Sequence, residues 1–372
     1  MNTTMNRSGA TVAQAGVRVT SPAPREAWRA VFAADPEAMP TQSPEWSDCL
    51  CTARRYTDAS RLYELPDGRR LVLPLAALRR GGVTIVEQGW PHGWGYGGLL
   101  VEGGDPTAAD RGVVLADLAR RRVLRSAVVP NPLAAAAWSQ AAPARAVRAP
   151  DRTQVIDLSG GFDTVWAKRF RKETRNRVRK AEGVALDIRR ETGAGRGVGM
   201  FAQLYRQAVD RWAIERGQPL WIAHTLAARR DRPGAVAAVA RALGERCVIW
   251  SAATAGGEPV SVDVVLQHGR HTLAWLGAVD PALARETMAT YRVQSMAIED
   301  ACDAGSRYFH LGESDAGSGV ERFKRNFGAE SIDYDTLRFE HLPLTAGERR
   351  LRTAFAAASR LRARTAEGSG GR

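Results

Sequence analysis

The sequence has 372 residues, roughly two to three times the length of an ordinary domain, so we expect two domains. Hydrophobic residues make up 44% and charged residues 25%, a composition that excludes a wholly disordered chain. Four Cys are too few for a disulfide scaffold, and the apolar runs are too short for a transmembrane helix. The 53 Lys and Arg exceed the 40 Asp and Glu by a net charge of +13, which favours anionic partners such as nucleic acid, phosphorylated cofactors or an anionic membrane surface.

The two ends of the chain differ in composition from its middle. Residues 1–22 predict a disordered N-terminus that lacks the apolar segment of a secretory signal, so we expect a cytoplasmic protein. The Ala- and Pro-rich segment 134–150 is typical of a boundary, which predicts one domain over 23–150 and a second over 151–342. Residues 343–372 predict an Arg-rich helical tail that ends in a disordered Gly- and Ser-rich segment.

The cysteines and histidines do not form the spacings of a metal or hydrolase motif. Cys49 and Cys51 are one residue apart, Cys247 and Cys302 stand alone, and the six His are scattered. Neither H-E-x-x-H nor G-x-S-x-G is present. We therefore expect reduced structural thiols, no metal site, and neither a zinc nor a serine hydrolase.

The first domain contains a hairpin and a loop rich in Gly and aromatic residues. The turn Pro66-Asp67-Gly68 between the apolar runs 61–65 and 71–75 predicts the hairpin, and a helix is expected over 108–122. The loop 89–98 contains Trp90, Trp94 and Tyr96 among five glycines, which allow a backbone to approach a ligand closely. These rings are candidates for stacking on a sugar or a planar acceptor, and the alternative is a loop that packs on itself.

The second domain alternates helices and strands in a recognisable order. A basic helix from 162 precedes a strand at 184–188, helices at 198–215 and 233–243, and a meander of strands at 247–253, 260–267 and 271–279. Asp280 and Pro281 predict the start of a long helix that ends before Gly305. A strand at 307–311, a short helix at 319–326 and a strand at 331–339 follow. The fold class is therefore α+β, with mostly antiparallel sheets flanked by helices.

This order of elements resembles the GNAT acyltransferase fold, and local strings are similar to the Fem-type aminoacyltransferases of peptidoglycan bridge formation and their GNAT-like relatives. The strings lie at 42–46, 72–75, 172–181, 257–260, 298–305, 309–312 and 323–328, the last being Phe323-Lys324-Arg325-Asn326-Phe327-Gly328. The resemblance covers about residues 24 to 340 and implies two tandem GNAT-like domains. It also implies that the strands at 271–279 and 307–311 splay apart to admit an acyl donor.

The resemblance leaves the donor open between aminoacyl-tRNA and acyl-CoA, with no tightly bound cofactor. Acetyl-CoA-dependent relatives usually carry a Gln/Arg-x-x-Gly-x-Gly/Ala loop before the long helix, where backbone N–H groups hold the pyrophosphate. The junction 277–285 has no glycine beyond Gly277, Pro281 has no N–H to donate, and Asp280 would repel phosphate. Fem-type enzymes use aminoacyl-tRNA and lack this loop, so the sequence favours aminoacyl-tRNA.

A run of positively charged residues in the basic helix also supports aminoacyl-tRNA as the donor. Eight Lys and Arg lie between 168 and 180 with Glu173 as the only acidic residue. Phosphate contacts by such a helix would weaken with salt, because each contact releases counterions. The candidates for binding donor phosphates are Lys172, Arg175, Arg177, Arg179 and Lys180. The alternative is a charged face that only contacts solvent.

Amide formation needs an amine nucleophile, an activated carbonyl and a group that stabilises the oxyanion. Lys324 matches the lysine that the Fem-type pattern places near the reacting carbonyl. Asp263, Glu313 and Asp315 are candidates for accepting the amine proton or orienting the amine. The candidates for contacting the substrate are Trp90, Trp94, Tyr96, Tyr291 and His310.

The sequence thus predicts an N-acyltransferase that forms an amide bond on a small-molecule or envelope-precursor amine, with aminoacyl-tRNA as the favoured donor. One alternative is an acyl-CoA-dependent N-acetyltransferase of cell-envelope or natural-product biosynthesis. A second is a non-catalytic RNA-binding protein. No transmembrane segment is expected, and a peripheral contact with a membrane is a further alternative.

Overall fold

The computed structural model describes residues 16–53, 56–230 and 232–350. The strands before residue 147 are β1 (Arg18–Thr20), β2 (Tyr56–Asp58), β3 (Arg61–Glu64), β4 (Arg70–Leu73), β5 (Ala76–Arg80), β6 (Val83–Gln88), β7 (Leu100–Val101) and β8 (Arg125–Val128). The helices of this part are α1 (Arg25–Ala34), α2 (Pro44–Ala53), α3 (Ala108–Ala119) and α4 (Ala135–Ala141). We call this part the N-terminal half and residues 147–350 the C-terminal half.

The C-terminal half has longer strands. They are β9 (Val147–Asp157), β10 (Leu186–Thr192), β11 (Cys247–Thr254), β12 (Pro259–His268), β13 (His271–Val279), β14 (Tyr308–Glu313) and β15 (Glu330–Glu340). Its helices are α5 (Gly161–Thr164), which continues as a π-helical turn to Arg169, α6 (Lys172–Glu182), α7 (Arg196–Glu215), α8 (Leu220–Arg230), α9 (Arg232–Leu243), α10 (Pro281–Thr287), α11 (Ala289–Asp303) and α12 (Gly319–Asn326). Residues 344–350 are helical as well.

One large sheet runs through both halves. Its eleven strands lie in the order β10-β11-β12-β13-β14-β9-β15-β8-β6-β5-β2, and a second sheet has the order β1-β3-β4-β7. Only the pairs β13–β14 and β6–β8 are parallel among these strands. The expected α+β fold, with mostly antiparallel sheets flanked by helices, is confirmed. The boundary predicted at residue 150 falls inside β9, which lies between β14 and β15.

Apolar layers cover both faces of the large sheet. In β12, Val262 and Val264 pack with α7 and α9 on one face, whereas Val260 and Val265 pack with α11 on the other. A bulge at Val260, beside which Ser261 pairs with Ala252 and Pro259 pairs with Ala253, shifts the alternation by one residue. No helix of the described residues combines the length and apolar character that a membrane span requires.

The N-terminal prediction was wrong in one respect. Residues 1–22 were expected to be disordered, but Arg18–Thr20 form strand β1. This strand pairs antiparallel with β3, and its register places Arg18 opposite Glu64. Strand β3 is at the edge of the predicted hairpin, where its backbone N–H and C=O groups would lack partners. Strand β1 supplies those hydrogen-bond partners. Of the predicted tail, residues 351–372 lie outside the described residues.

The long helix predicted from Asp280 is two helices. Asp280 caps α10 as expected, because its carboxylate accepts hydrogen bonds from the backbone N–H groups of Ala282 and Leu283. Met288 then adopts φ 56, a left-handed conformation rare for a residue with a side chain, and separates α10 from α11. The long helix between β13 and β14 therefore begins at Ala289.

Candidate active site

The splay expected between two strands is present. β13 and β14 pair in parallel only from His271 to Leu273 and from Tyr308 to His310. Beyond this point β13 continues along β12, whereas β14 continues along β9, where Gly312 lies opposite Gln154. The end of β14 therefore leaves its neighbour and opens the sheet on the side of the N-terminal half.

A cleft of about 660 Å³ lies at this opening, between the two halves. The N-terminal half contributes the loop after β6, and the C-terminal half contributes the end of β14 and the middle of β15. The lining residues that matter for the chemistry are Trp90, His92, Asp151, Glu313, Asp315, Tyr334 and Arg338. Glu313 and Asp315, both predicted from the sequence, thus lie in one cleft.

Glu313 is held as a carboxylate by two partners from opposite halves. Its Oε1 atom accepts a hydrogen bond from the Tyr334 hydroxyl at 2.7 Å, and its Oε2 atom lies 3.2 Å from Nδ1 of His92. Burial raises the pKa of Glu313, but these two hydrogen bonds together with the charges of His92 and Lys324 outweigh it, so the pKa is lowered overall. The same contact raises the pKa of His92. An ionised Glu313 can therefore orient a substrate ammonium group.

Lys324 lies beneath the end of β14 and not in the open cleft. Its Nζ atom donates hydrogen bonds to the carbonyls of Gly312 and Glu313, both at 2.8 Å, and to Oε1 of Gln154 at 3.3 Å. Two successive carbonyls face one ammonium group because Gly312 adopts φ 73 in a bulge of the strand. Burial lowers the pKa of Lys324 to about 8. All three ammonium protons are thus used to fix the backbone that presents Glu313.

Gln154 is a buried neighbour of Lys324 that no sequence motif identifies. Its Oε1 atom accepts hydrogen bonds from Lys324 and from the Ser314 hydroxyl, the latter at 2.7 Å. These donors fix the amide orientation, which leaves Nε2 buried without a partner among the described residues. A polar residue within a strand pattern carries no distinctive signal, and neither does Tyr334.

Asp263 lies elsewhere, on the face of β12 that also carries Val265 and Val260. Its neighbours across the sheet are Trp250 on β11 and Gly277 on β13. Burial raises the pKa of Asp263 to about 7, and its Oδ2 atom has no hydrogen-bond partner within the described parts of the chain. Asp263 does not line the cleft.

The three aromatic residues predicted to stack on a ligand have different places. Trp90 lines the cleft but is only 3% exposed. Trp94 is buried against Trp46 and Trp275, with ring centroids 5.3 and 5.6 Å away. Tyr96 is buried and its hydroxyl lies 2.5 Å from that of Thr153. The loop therefore packs into the core and not only on itself, and neither Trp94 nor Tyr96 is accessible to a ligand.

Two further candidates for substrate contact also face the interior. His310 is fully buried, and its Nε2 atom lies 3.0 Å from Nδ1 of His271, which in turn approaches Glu37 at 3.2 Å. Burial and the neighbouring His271 lower the pKa of His310 well below the usual value. Tyr291 is half-buried and stacks on Phe327 at the edge of the core. Neither residue lines the cleft.

Three of the five basic residues predicted to bind phosphate have partners within the chain. Arg175 donates to the carbonyl of Trp166 at 3.2 Å and to that of Phe170, at the end of the π-helical turn. Arg177 donates to the Tyr291 hydroxyl, and Arg179 lies over the Trp166 ring. Lys172 and Lys180 form neither a side-chain hydrogen bond nor an ion pair with any described residue. The basic helix is therefore partly a structural element.

A cationic pocket adjoins this helix. It measures about 340 Å³ and is lined by Arg171, Arg322, Arg325 and the residues at the start of α12. In the described chain none of these three guanidinium groups forms an ion pair. One acidic side chain, Glu321, lines the pocket and accepts a hydrogen bond from the Gly317 N–H. The pocket is suited to an anion such as phosphate.

Most of the C-terminal half is similar to a known protein family. Residues 168–325 match the family model described as acetyltransferase (GNAT) domain. This part of the chain is similar to GNAT acetyltransferase domains. The prediction of an acyltransferase is thereby confirmed. No curated protein matches the sequence.

The fold of the whole chain is similar to solved structures of low sequence identity. FemX aligns with a TM-score of 0.61 at 11% identity, over 87% of this chain and 97% of FemX. The C-terminal domain of a putative lysylphosphatidylglycerol synthetase from Agrobacterium fabrum aligns at 0.52 and 10%, over 89% and 95%. A conserved protein of unknown function from Bacteroides thetaiotaomicron aligns at 0.51 and 9%, over 85% and 97%. The predicted Fem-like fold is confirmed.

The long helix begins at a different position from the one predicted. The predicted start placed a pyrophosphate loop at residues 277–285, but helix α11 begins at Ala289. The segment before it contains Arg285 and, three residues later, Met288 with φ 56. A left-handed residue thus occupies the position at which the Arg-x-x-Gly-x-Gly/Ala pattern has its first glycine. The lack of a glycine pattern at residues 277–285 is consequently a weaker argument against acyl-CoA as the donor.

Proposed function

We propose that this chain transfers an acyl group from a polyanionic carrier to an amine, and that aminoacyl-tRNA is the favoured carrier. The observation that carries the proposal is a division of charge between two cavities. The cleft contains Asp151, Glu313 and Asp315, whereas the pocket at α12 contains three arginines that form no ion pair with the described residues. A cationic amine and an anionic donor would thus be attracted to different cavities.

The acidic cleft supports an amine acceptor. Arg338 is its one Lys or Arg lining residue, and that guanidinium is already engaged by Thr345 and Glu348. Glu313 would bind the ammonium form and take up the proton that the nitrogen must lose. The free amine would then attack the carbonyl carbon of the donor. Glu313 would release this first proton to solvent. The C–N bond forms as the ester C–O bond to the ribose breaks, and the second proton of the nitrogen passes through Glu313 to the departing ribose oxygen.

The cationic pocket and the free end of the basic helix support a nucleic acid donor. Arg171, Lys172 and Lys180 lie on one helix and its N-terminus, and Arg322 and Arg325 lie on the neighbouring α12. Together they form a cationic surface that we call the donor face. Unpaired cations at this density favour a partner with several phosphates, and such binding weakens strongly as salt rises.

Acyl-CoA is the second candidate donor, and a specific observation favours it. Met288 adopts a left-handed conformation at the start of α11, which follows the splayed strands. Backbone N–H groups at such a helix start can bind a pyrophosphate. An acyl-CoA thioester would undergo the same attack, with the thiol as the leaving group.

A binding and turnover experiment separates the donors. The wild type and an Arg322→Ala/Arg325→Ala variant are titrated with charged tRNA, uncharged tRNA, duplex RNA of similar length, and acetyl-CoA, each at low and high salt. The matched control is Arg120→Ala/Arg122→Ala, which removes two exposed arginines from the N-terminal half. We expect charged tRNA to bind best, and only the donor-face variant to lose roughly tenfold in affinity.

Two results would contradict the aminoacyl-tRNA donor. The first is saturable binding of acetyl-CoA with tRNA no better than duplex RNA. The second is equal weakening by the donor-face and control variants, which would make the tRNA contact a non-specific charge effect. A Glu313→Gln variant addresses catalysis: unchanged tRNA binding with lost amide formation on an amine acceptor excludes a pure RNA-binding protein.

A further inference from the structure

The end of the helical pair α7–α8 exposes large apolar side chains. Ile214 and Trp221 are each 72% exposed, Leu220 is 46% exposed and Trp212 is 40% exposed. All four lie within ten residues, on either side of the turn at Gly217, and we call them the helical tip. The other large exposed apolar side chains of the described chain, apart from Leu226 on α8, are spread over distant parts of the sequence. Such a concentration marks an interaction surface.

Packing within the protein does not account for the helical tip. Helix α8 has eleven residues, of which Ala223 alone is buried. Ala223 packs with Val209 and Ala213 of α7 in a small cluster of its own. The apolar side chains of Leu220, Trp221 and Leu226 therefore add nothing to the core, although exposing them to water is unfavourable.

The charge around the helical tip indicates the kind of surface it contacts. Residues 206–230 contain five Arg and two acidic residues. One of the acidic residues, Asp210, pairs with His224. Trp side chains favour the boundary between lipid and water, and arginines beside them are attracted to anionic headgroups. A protein partner would not require the excess of positive charge.

The position of the helical tip relates it to the cleft. Helix α9 follows α8 directly, and Arg232 at its start donates a hydrogen bond of 2.9 Å to the carbonyl of Gly93. Gly93 lines the cleft, in the loop that also presents His92 to Glu313. The C-terminal end of α8 is thus connected through α9 to the rim of the cleft.

We infer that the helical tip docks on an anionic membrane surface. Trp212, Ile214, Leu220 and Trp221 enter the headgroup region, and the surrounding arginines contact lipid phosphates. No helix crosses the bilayer in this arrangement, so the contact is peripheral and reversible. The inference does not depend on whether the donor is aminoacyl-tRNA or acyl-CoA.

The test is co-sedimentation of the full chain with vesicles. One set contains phosphatidylglycerol and phosphatidylcholine in equal amounts, and the other contains phosphatidylcholine alone. An Ile214→Ser/Trp221→Ser variant removes the two most exposed side chains of the helical tip. The matched control is Val83→Ser/Leu342→Ser, which removes apolar side chains of 61% and 53% exposure elsewhere.

We expect binding to the anionic vesicles only, weakened by salt, with a roughly tenfold or greater loss of partitioning in the helical-tip variant and none in the control. An Arg206→Glu/Arg216→Glu variant, which keeps every apolar side chain, should also lose binding. Absence of binding to anionic vesicles would overturn the inference, as would binding that the helical-tip variant retains. A dimer that the helical-tip variant converts to a monomer would assign the surface to a second copy instead. Equal thermal midpoints of all variants show that folding is intact.

Discussion

Asp263 offers the sharpest test of the electrostatics, because its carboxyl is buried without a compensating partner. Burial raises its pKa from 3.8 to about 7. Above pH 3.8 the carboxyl of the unfolded chain loses its proton, whereas the carboxyl of the folded chain keeps its proton up to about pH 7. The stability that this proton provides is fully present below pH 3.8 and is lost as the pH rises through about 7. The full difference corresponds to on the order of 4 kcal/mol.

The substitution Asp263→Asn replaces the carboxyl by a neutral group of the same shape and removes this loss. Urea unfolding of both proteins at about pH 5 and about pH 8 measures it. We expect the stability of the variant relative to the wild type to increase by about 2.5 kcal/mol between these conditions, because most of the proton loss falls between them. Asp333→Asn is the control, because Asp333 is exposed and its substitution should change stability little and equally at the two pH values.

Two outcomes of this experiment would refute the reasoning. A difference between variant and wild type that does not change with pH would mean that Asp263 titrates normally and is solvated. A loss of amide formation in Asp263→Asn would restore Asp263 as the general base expected from the sequence. Because Asp263 does not line the cleft, we expect turnover to stay within about twofold of the wild type.

Three further predictions concern the cleft and its support. Lys324→Met should lower the free energy of unfolding by about 1–3 kcal/mol, because the carbonyls of Gly312 and Glu313 lose their buried donor, and chemical denaturation measures this. His92→Asn should move the acid limb of the rate–pH profile to higher pH, because the pKa of Glu313 rises when that partner is lost; an unchanged profile would contradict it. Trp94→Ala should cost about 3–5 kcal/mol in thermal or urea unfolding by leaving a core cavity, whereas a loss of ligand affinity at full stability would favour the stacking role.

Local patterns were sufficient to predict most elements of the C-terminal half. The meander β11–β12–β13 was predicted to within about one residue, because its alternating strands are joined by short Gly turns. The break at Met288 was not predicted, because apolar residues continue at helical spacing from α10 into α11. A left-handed methionine is set by the tertiary fold and not by its own conformational preference.

Local sequence patterns contain no information about contacts between distant segments. Strand β9 lies between β14 and β15, which follow it by more than a hundred residues, and no turn specifies that pairing. The cleft depends on this insertion, since β9 brings Asp151 and Gln154 beside Glu313. Composition is equally uninformative about burial: the Gly-rich loop with Trp94 and Tyr96 has the residues of a binding loop but packs into the core.

The short helix α12 explains why a motif identified the right region but not the right contacts. Neighbouring helical residues project about 100° apart. Phe323 therefore packs against Tyr291 at 5.1 Å, Lys324 reaches the carbonyls of β14, and Arg325 faces the cationic pocket. The same eight residues thus anchor the core, fix the backbone of Glu313 and face the pocket proposed for the donor. A substitution at Arg325 should affect donor binding alone, whereas one at Lys324 alters the cleft, so the two sides of the proposed reaction can be separated on one helix.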